Sequence, residues 1–350
     1  MMMSRLDRVR NQRLARTVVI AALAVTLVGL RGVAGVSPPH PAKAGVVPTG
    51  YGWPIKPFTQ PHPVRGNFGD PRTVFRGPPS TNTVYHGTGS FSFHRGADIA
   101  AAIGAKVYPV RDGVVVFRST SHINVRSSEG TVFEYWHIGA NLRPGTIVHA
   151  YRTVIGTIQR AQHVDLTEVV NGRATNPLAA GHLTPYHDTK RPVVASIRIQ
   201  RDNAGHVLFP NFVSGSVYLV AEAYDKPSLS VPGNWNGMPV APALLTWQIK
   251  APDGNVVVPT QVAADFRTSE PSNQAFWSTY ARGTFQNMAA FTTYYSLMQP
   301  GNYAFLLSPT RFDTSSLHNG VYELAVTATD IRGNSASRSL RFTIHNMIFE

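Results

Sequence analysis

The stretch Phe91-Ser-Phe-His-Arg-Gly-Ala-Asp-Ile-Ala100 places a histidine and a carboxylate, His94 and Asp98, directly ahead of two apolar runs, Lys106-Val-Tyr-Pro-Val110 and Gly113-Val-Val-Val116. Residues four apart on a straight strand lie about 13 Å from one another, too far to share one ion. If the pair cooperates, the backbone bends between them, and Gly96 is the residue whose freedom permits a bend. A bent His-x-x-x-Asp beside a rigid sheet edge can supply two of the three protein ligands of an open, catalytic zinc site.

The runs that follow are short, β-branched or aromatic, and separated by Asp-Gly, Glu-Gly and Pro-Gly turns: Lys106–Val110, Gly113–Phe117, His122–Val125, Thr131–Ile138, Thr146–Val148 and Thr153–Ile158. Such a meander predicts an all-β domain, a sandwich or barrel-like hybrid. The last run, His163-Val-Asp-Leu-Thr-Glu-Val-Val170, alternates, with His163, Asp165 and Thr167 on one face and Val164 and Leu166 on the other. Polar side chains on one face of a central strand need partners, and a metal or a hydrogen-bond network supplies them. By the same parity Glu134 and Glu168 fall on the face opposite their neighbouring histidines and are left out of the site. His86 and His122 read as loop or sheet-edge histidines, and His182 and His187 as part of a linker. The loop Gly77–Ser90 is polar enough to wall one side of a groove. No serine nucleophile elbow or phosphate loop is present; Gly87-Thr-Gly89 alone is a turn.

Residues 65–178 resemble the lysostaphin-like, or LytM-type, zinc endopeptidases, which cleave peptide cross-links of bacterial peptidoglycan. Four features carry the resemblance in order: Phe68-Gly69 with Arg72; His94-Arg-Gly-Ala-Asp98 with Gly104, Val107 and Asp112-Gly113; Tyr135-Trp-His137; and His163-Val-Asp165 with Asn171-Gly172 and Asn176-Pro177-Leu178. The resemblance implies a duplicated hybrid barrel-sandwich motif. It also implies His94, Asp98 and Asp165 as metal ligands, with His137 and His163 as catalytic histidines beside the bound water. The chain departs from the family at the last motif, where His-x-His followed by Phe-Glu is usual and Asp165 followed by Leu166-Thr167 stands instead.

That departure has a chemical consequence. Two imidazoles and one carboxylate leave a divalent ion with net charge near +1, and zinc with an open position lowers its water's pKa to about 7. A second carboxylate brings the net charge to about zero, weakens the Lewis acid, and shifts preference toward Mn²⁺ or Mg²⁺. Three readings follow: a working metallopeptidase of altered ligation, an inactive domain that binds peptidoglycan or activates a true wall hydrolase, and a polar cluster that satisfies only its own hydrogen bonds.

Beyond Asp188-Thr-Lys-Arg-Pro192 the pattern changes to longer alternating runs, Val193–Ile199, Gly215–Tyr224, Ala243–Ile249, Gly320–Asp330 and Ser337–Ile344. These predict a β-sandwich over residues 191–350, whose closing hairpin resembles bacterial Ig-like or fibronectin-type modules. An aromatic-rich insertion carries Phe266, Phe276, Trp277, Tyr280, Phe285, Phe291, Tyr294, Tyr295, Tyr303 and Phe305. Either it packs against the sandwich or the first domain, or its exposed rings stack on sugars.

Residues 1–44 read as an export signal or an uncleaved membrane anchor. Five arginines precede the apolar run Thr17–Leu30, and Ala42-Lys43-Ala44 is an A-x-A-like cleavage site. Arg31 keeps that run shorter than the roughly 20 residues that span a bilayer. Val36 to Trp53 then reads as a tether before a metallopeptidase-like domain over residues 45–190. Cleavage takes away seven cations and one anion, lowering the formal charge from +13 to +7. An exported protein of that charge is drawn to anionic envelope polymers, whereas no base-reading motif or basic stripe points to nucleic acid. The absence of cysteine excludes disulfides and thiolate ligands, leaving His, Asp and Glu to hold any metal.

Overall fold

The computed structural model describes residues 50–78, 80–287, 290–291 and 300–346. The predicted signal or anchor (1–44), most of the predicted tether, and Tyr294 and Tyr295 lie outside the described residues. Among the described residues no helix is long and apolar enough to cross a membrane.

The first half is built on an eight-stranded sheet. Its strands run in space Val64–Gly66, Ala97–Ala100, His163–Val170, Val132–Trp136, His122–Ser127, Gly113–Arg118 and Ile147–Val148, with Arg173–Thr175 paired to His163–Val170. Every pairing among them is antiparallel, as hairpin connections require. Among the described residues this sheet stays open and does not close into a barrel. A three-stranded sheet of Lys106–Val107, Gly156–Ile158 and Ile138–Ala140 covers one face. Val164, Leu166, Ile99, Ala97, Tyr135 and Ile123 from the large sheet meet Val107, Ile138, Ile155 and Ile158 there, all buried. Each such side chain contributes about 1.5–3 kcal/mol by leaving water, and this burial locks the register, because a slip of one residue would turn His163 and Asp165 into the core.

The tether expectation fails at its end. Tyr51 and Trp53 are buried in this core. The Tyr51 hydroxyl donates to Glu168 Oε2 at 2.6 Å and Trp53 Nε1 to the Pro185 carbonyl at 3.0 Å. Two large aromatic rings are worth more inside the core than on a solvated linker. The Gly77–Ser90 segment contains a helical turn, Thr81–His86, whose first turn is capped by Ser80 Oγ accepting from Thr83 N at 3.1 Å.

The second half is a two-sheet sandwich. One sheet joins Val193–Gln200, Ser216–Tyr224 and Ala304–Leu306; the other orders Val256–Asp265, Leu244–Lys250, Gly320–Thr329 and Ser335–Ile344. Alternate residues of both, among them Ile197, Leu219, Leu245, Trp247, Leu324 and Phe342, form the core. The strand Val256–Asp265 was not anticipated, because its side chains are mostly exposed and alternate weakly.

Gly45–Glu350 cohere as one compact unit. A hairpin of the first half, Pro71–Phe75 with Gly89–Phe93, pairs in parallel with Ala290–Phe291 of the second. Phe68 and Phe93 lie in the sandwich core, and the Tyr280 hydroxyl donates to the Gly69 carbonyl at 2.7 Å. Of the aromatic insertion, Phe266, Phe276, Tyr280, Tyr303 and Phe305 are buried and Trp277 packs on Phe91 at 4.7 Å. These rings join the two halves and are not presented for sugar stacking.

Candidate metal centre

Asp98 and Asp165 are register partners on adjacent strands, so their carboxylates project from the same face. Two residues further, His163 is opposite Ala100 and shares that face. His94 arrives from the turn before Ala97–Ala100. Its Nε2 lies 3.3 Å from Asp98 Oδ1 and 3.3 Å from Asp165 Oδ2. The bend between His94 and Asp98 is therefore real, but its requirement for Gly96 is one of space. Gly96 does not occupy the left-handed region, and a Cβ there would stand 2.2 Å from Asp165 Oδ1 and 2.5 Å from the Leu166 carbonyl.

His137 reaches the same pocket by a different device. Its φ of 65° ends the strand Val132–Trp136, an unusual conformation for a residue with a Cβ. Its ring lies 4.5 Å from that of His163. This kink overturns the parity reading of Glu134. Trp136 pairs with Asp165, and Glu134 with Thr167, so Glu134 shares the face of Asp98 and Asp165, although it does not line the pocket. Glu168 does point away, into the core, where Tyr51 and His182 Nδ1, at 2.8 Å, hold its Oε2. His182 is thus fastened to the core and is not part of a loose linker. His122 is buried under Trp136, ring centroids 3.5 Å apart, because the register pairs the two residues. It is not a solvated edge residue.

The donor set fits a small divalent ion. One donor atom each from His94, Asp98 and Asp165 lie within 4.8 Å of one another. Two ligands about 2.0–2.1 Å from a tetrahedral zinc stand about 3.3–3.4 Å apart, which is the separation of His94 Nε2 from both carboxylates. His94 Nδ1 is 2.8 Å from the Asn67 carbonyl, so Nδ1–H donates there and Nε2 is left to bind, the arrangement usual behind a metal-bound imidazole. Nε2 itself and Asp165 Oδ1 are buried without a hydrogen-bond partner. Without an ion, burial and the Arg72 charge push the His94 pKa down, yet Asp98 and Asp165 outweigh them and raise it to about 10. A proton then occupies the position that fits the metal.

Residues that sequence reasoning did not assign complete the site. Arg72 Nη2 donates to Asp98 Oδ2 at 2.8 Å, and Arg72 Nη1 is 3.7 Å from Asp70. Burial opposes ionisation of Asp98, but His94, His163 and Arg72 hold its pKa well below the usual range. Burial raises Asp70 to about 6 against the pull of Arg72, and Asp70 Oδ1 accepts from Ala241 N of the second half at 2.6 Å. The pocket above holds about 490 Å³ and is lined by Asp98, Asp165, His137 and His163 together with Arg65, Arg160 and Trp235. Arg72 stood within a quoted motif and was legible as a candidate. Trp235, which comes from the second half, carried no signal in the sequence.

A separate group of carboxylates, Asp188, Asp225 and Asp330, is buried where the segment after Leu183 meets the sandwich. Ser228 Oγ donates to Asp188 at 2.6 Å and Asn334 Nδ2 to Asp330 at 2.7 Å. Burial first, then the charge of Asp188, pushes Asp225 up to about 8.

No family model matches the chain, and no curated protein matches it. Among solved structures the chain is similar to Helicobacter pylori Csd3, at 19% identity and a TM-score of 0.29 over 40% of this chain and 36% of that one. It thus spans about a third of the length of Csd3. It is also similar to the catalytic domain of the antimicrobial peptidase lysostaphin from Staphylococcus simulans, at 20% identity and a TM-score of 0.23 over 31% of this chain and 90% of that one. A zinc-containing peptidase from Vibrio cholerae gives 19% identity and a TM-score of 0.24 over 33% and 39%.

Proposed function

We propose that this protein is an exported, metal-dependent peptidase of the bacterial cell envelope that hydrolyses peptide bonds of peptidoglycan. In this reading residues 45–190 form a lysostaphin-like catalytic domain, and residues 191–350 an Ig-like module that completes its pocket. The observation that carries the reading is the 3.3 Å spacing of His94 Nε2 from Asp98 and Asp165 beside two further histidines. Zinc or another divalent ion, held by His94, Asp98 and Asp165, would acidify a water and polarise the scissile carbonyl. His137 is exposed to the pocket, yet partial desolvation lowers its pKa, as does neighbouring His163. The shift favours the neutral form, which is able to accept a proton. His163 Nδ1–H donates to the Ala161 carbonyl at 2.8 Å, which directs Nε2 toward the pocket, 3.2 Å from Asp98 Oδ1. Arg72 offsets part of the negative charge that the second carboxylate adds. The loss of Lewis acidity expected from two carboxylates is correspondingly reduced.

A second reading has its own support. The contacts of Arg72 and protonated His94 with Asp98 balance the carboxylates without a metal, as a non-catalytic module that binds peptidoglycan or activates a wall hydrolase would require. Metal analysis of the purified chain together with muropeptide release from isolated walls separates the two. Stoichiometric metal with release supports the peptidase. Wall binding with neither metal nor release supports the module.

A further inference from the structure

Arg65 is a buried cation that feels the charges of Asp98 and Asp165 but makes no ion-pair contact with either. It is 8% exposed, and its Nε is buried without a hydrogen bond. Among the described residues no carboxylate or carbonyl accepts from its guanidinium. Its guanidinium carbon lies over the Trp235 ring, 3.9 Å from the centroid, and both residues line the pocket of the candidate centre. Arg65 sits on the strand Val64–Gly66, which pairs with Ala97–Ala100, so its position is fixed one strand from Asp98.

The other arginines of the pocket differ. Arg72 is engaged by Asp98 and Asp70, while Arg160 is exposed at the rim. The buried Nε without a hydrogen bond is a cost the group cannot escape by losing its proton, and as a pocket-lining residue Arg65 has further donors to offer a ligand. A ligand that brings one planar, singly charged oxyanion would satisfy its donor fork in two parallel hydrogen bonds. The pocket lining already balances Arg65, Arg72 and Arg160 against Asp70, Asp98 and Asp165. It accommodates one further negative charge better than the two of a phosphate monoester.

We propose that Arg65, stacked on Trp235 and helped by Arg160, is a carboxylate-recognition subsite, and that the pocket takes peptides bearing a free carboxylate near the bond presented to His137 and His163. This rests on the reading of the pocket as a peptide site. It adds the substrate class, an anionic stem peptide, and gives the second half a direct part in specificity, because Trp235 holds the arginine.

Calorimetric binding to the full chain tests it with two probes: a peptidoglycan stem tetrapeptide with free carboxylates, and the same tetrapeptide with every carboxyl converted to amide. The acid should bind at least about tenfold more tightly than the amide, as a charge-assisted pair implies. Arg65→Gln should erase the difference by weakening the acid alone. Arg160→Gln, at an exposed position that folding tolerates, should reduce it about two- to threefold. Equal affinity of the wild-type chain for acid and amide, or a preference that persists in Arg65→Gln, overturns the subsite and leaves the peptide pocket standing. Failure of both probes to bind the wild-type chain overturns the peptide pocket as well.

Discussion

Gly96→Ala probes a contact that sets the geometry of the candidate metal centre. The added methyl would stand 2.2 Å from Asp165 Oδ1, 2.5 Å from the Leu166 carbonyl and 2.7 Å from Thr167 Oγ1. The Leu166 carbonyl belongs to a strand paired with Ala97 and cannot retreat without opening the ladder. Residue 96 must therefore shift from that carbonyl and the Asp165 carboxylate give way by roughly 1 Å to reach ordinary contact distances. Overpacking of this kind costs about 1–3 kcal/mol, offset by no more than about 1 kcal/mol from the stiffer unfolded chain. The same displacement takes Asp165 out of its 3.3 Å relation to His94, so zinc affinity should fall by an order of magnitude or more. Urea denaturation and competitive zinc titration of Gly96→Ala, Asp165→Ala and the double variant measure both effects. The double variant should be more stable than the sum of the singles predicts, by about 0.5–3 kcal/mol, because Asp165→Ala removes the nearest atom. Additive effects, or a Gly96→Ala protein with stability and zinc affinity unchanged, would refute the packing of this turn against the strand that carries Asp165.

Asp165→His restores a second imidazole and should raise zinc affinity at least about tenfold, with muropeptide release rising in parallel; no gain in zinc titration would mean that the site has diverged beyond this ligand. Asp225→Asn tests the buried carboxylate group. Its native pKa of about 8 lies above the unfolded value of about 3.9, so the native state binds the extra proton and wild-type stability falls as pH rises from about 4 to 8. The variant should match wild type near pH 4 and exceed it by on the order of a few kcal/mol at pH 8 and above; a constant difference across thermal melts at these pH values would contradict the assignment. Tyr51→Phe removes the hydroxyl that donates to buried Glu168 and should cost about 1–3 kcal/mol, where a true tether residue would show no change in denaturation midpoint.

Much of the site was legible because two of its parts are local. Alternation along His163–Val170 separates His163 and Asp165 from Val164 and Leu166, and burial of the apolar set enforces that separation. The His94-x-x-x-Asp98 spacing likewise signalled a bend before a strand. Where parity failed, at Glu134, a single left-handed residue, His137, had reset the face of the chain, and period-two patterns carry no notice of such a kink.

The remaining misreadings share one cause. Tyr51 and Trp53 lie in a segment of weak periodicity and His122 opens a run already read as a strand, but each is buried by a partner that no local pattern names: Glu168, Pro185 and Trp136. The sequence by itself determined the all-β character, most strand positions in both halves, and the set of polar side chains that could meet, because alternation and turn chemistry act over a few residues. Only the tertiary structure decided that Arg72 shares Asp98 with the histidines, that Arg65 is left without an ion-pair contact, and that Trp235 of the second half lines the pocket beside it. Contacts across 170 residues, such as that between Arg65 and Trp235, arise when two cores pack against a shared hairpin, and no local pattern encodes them.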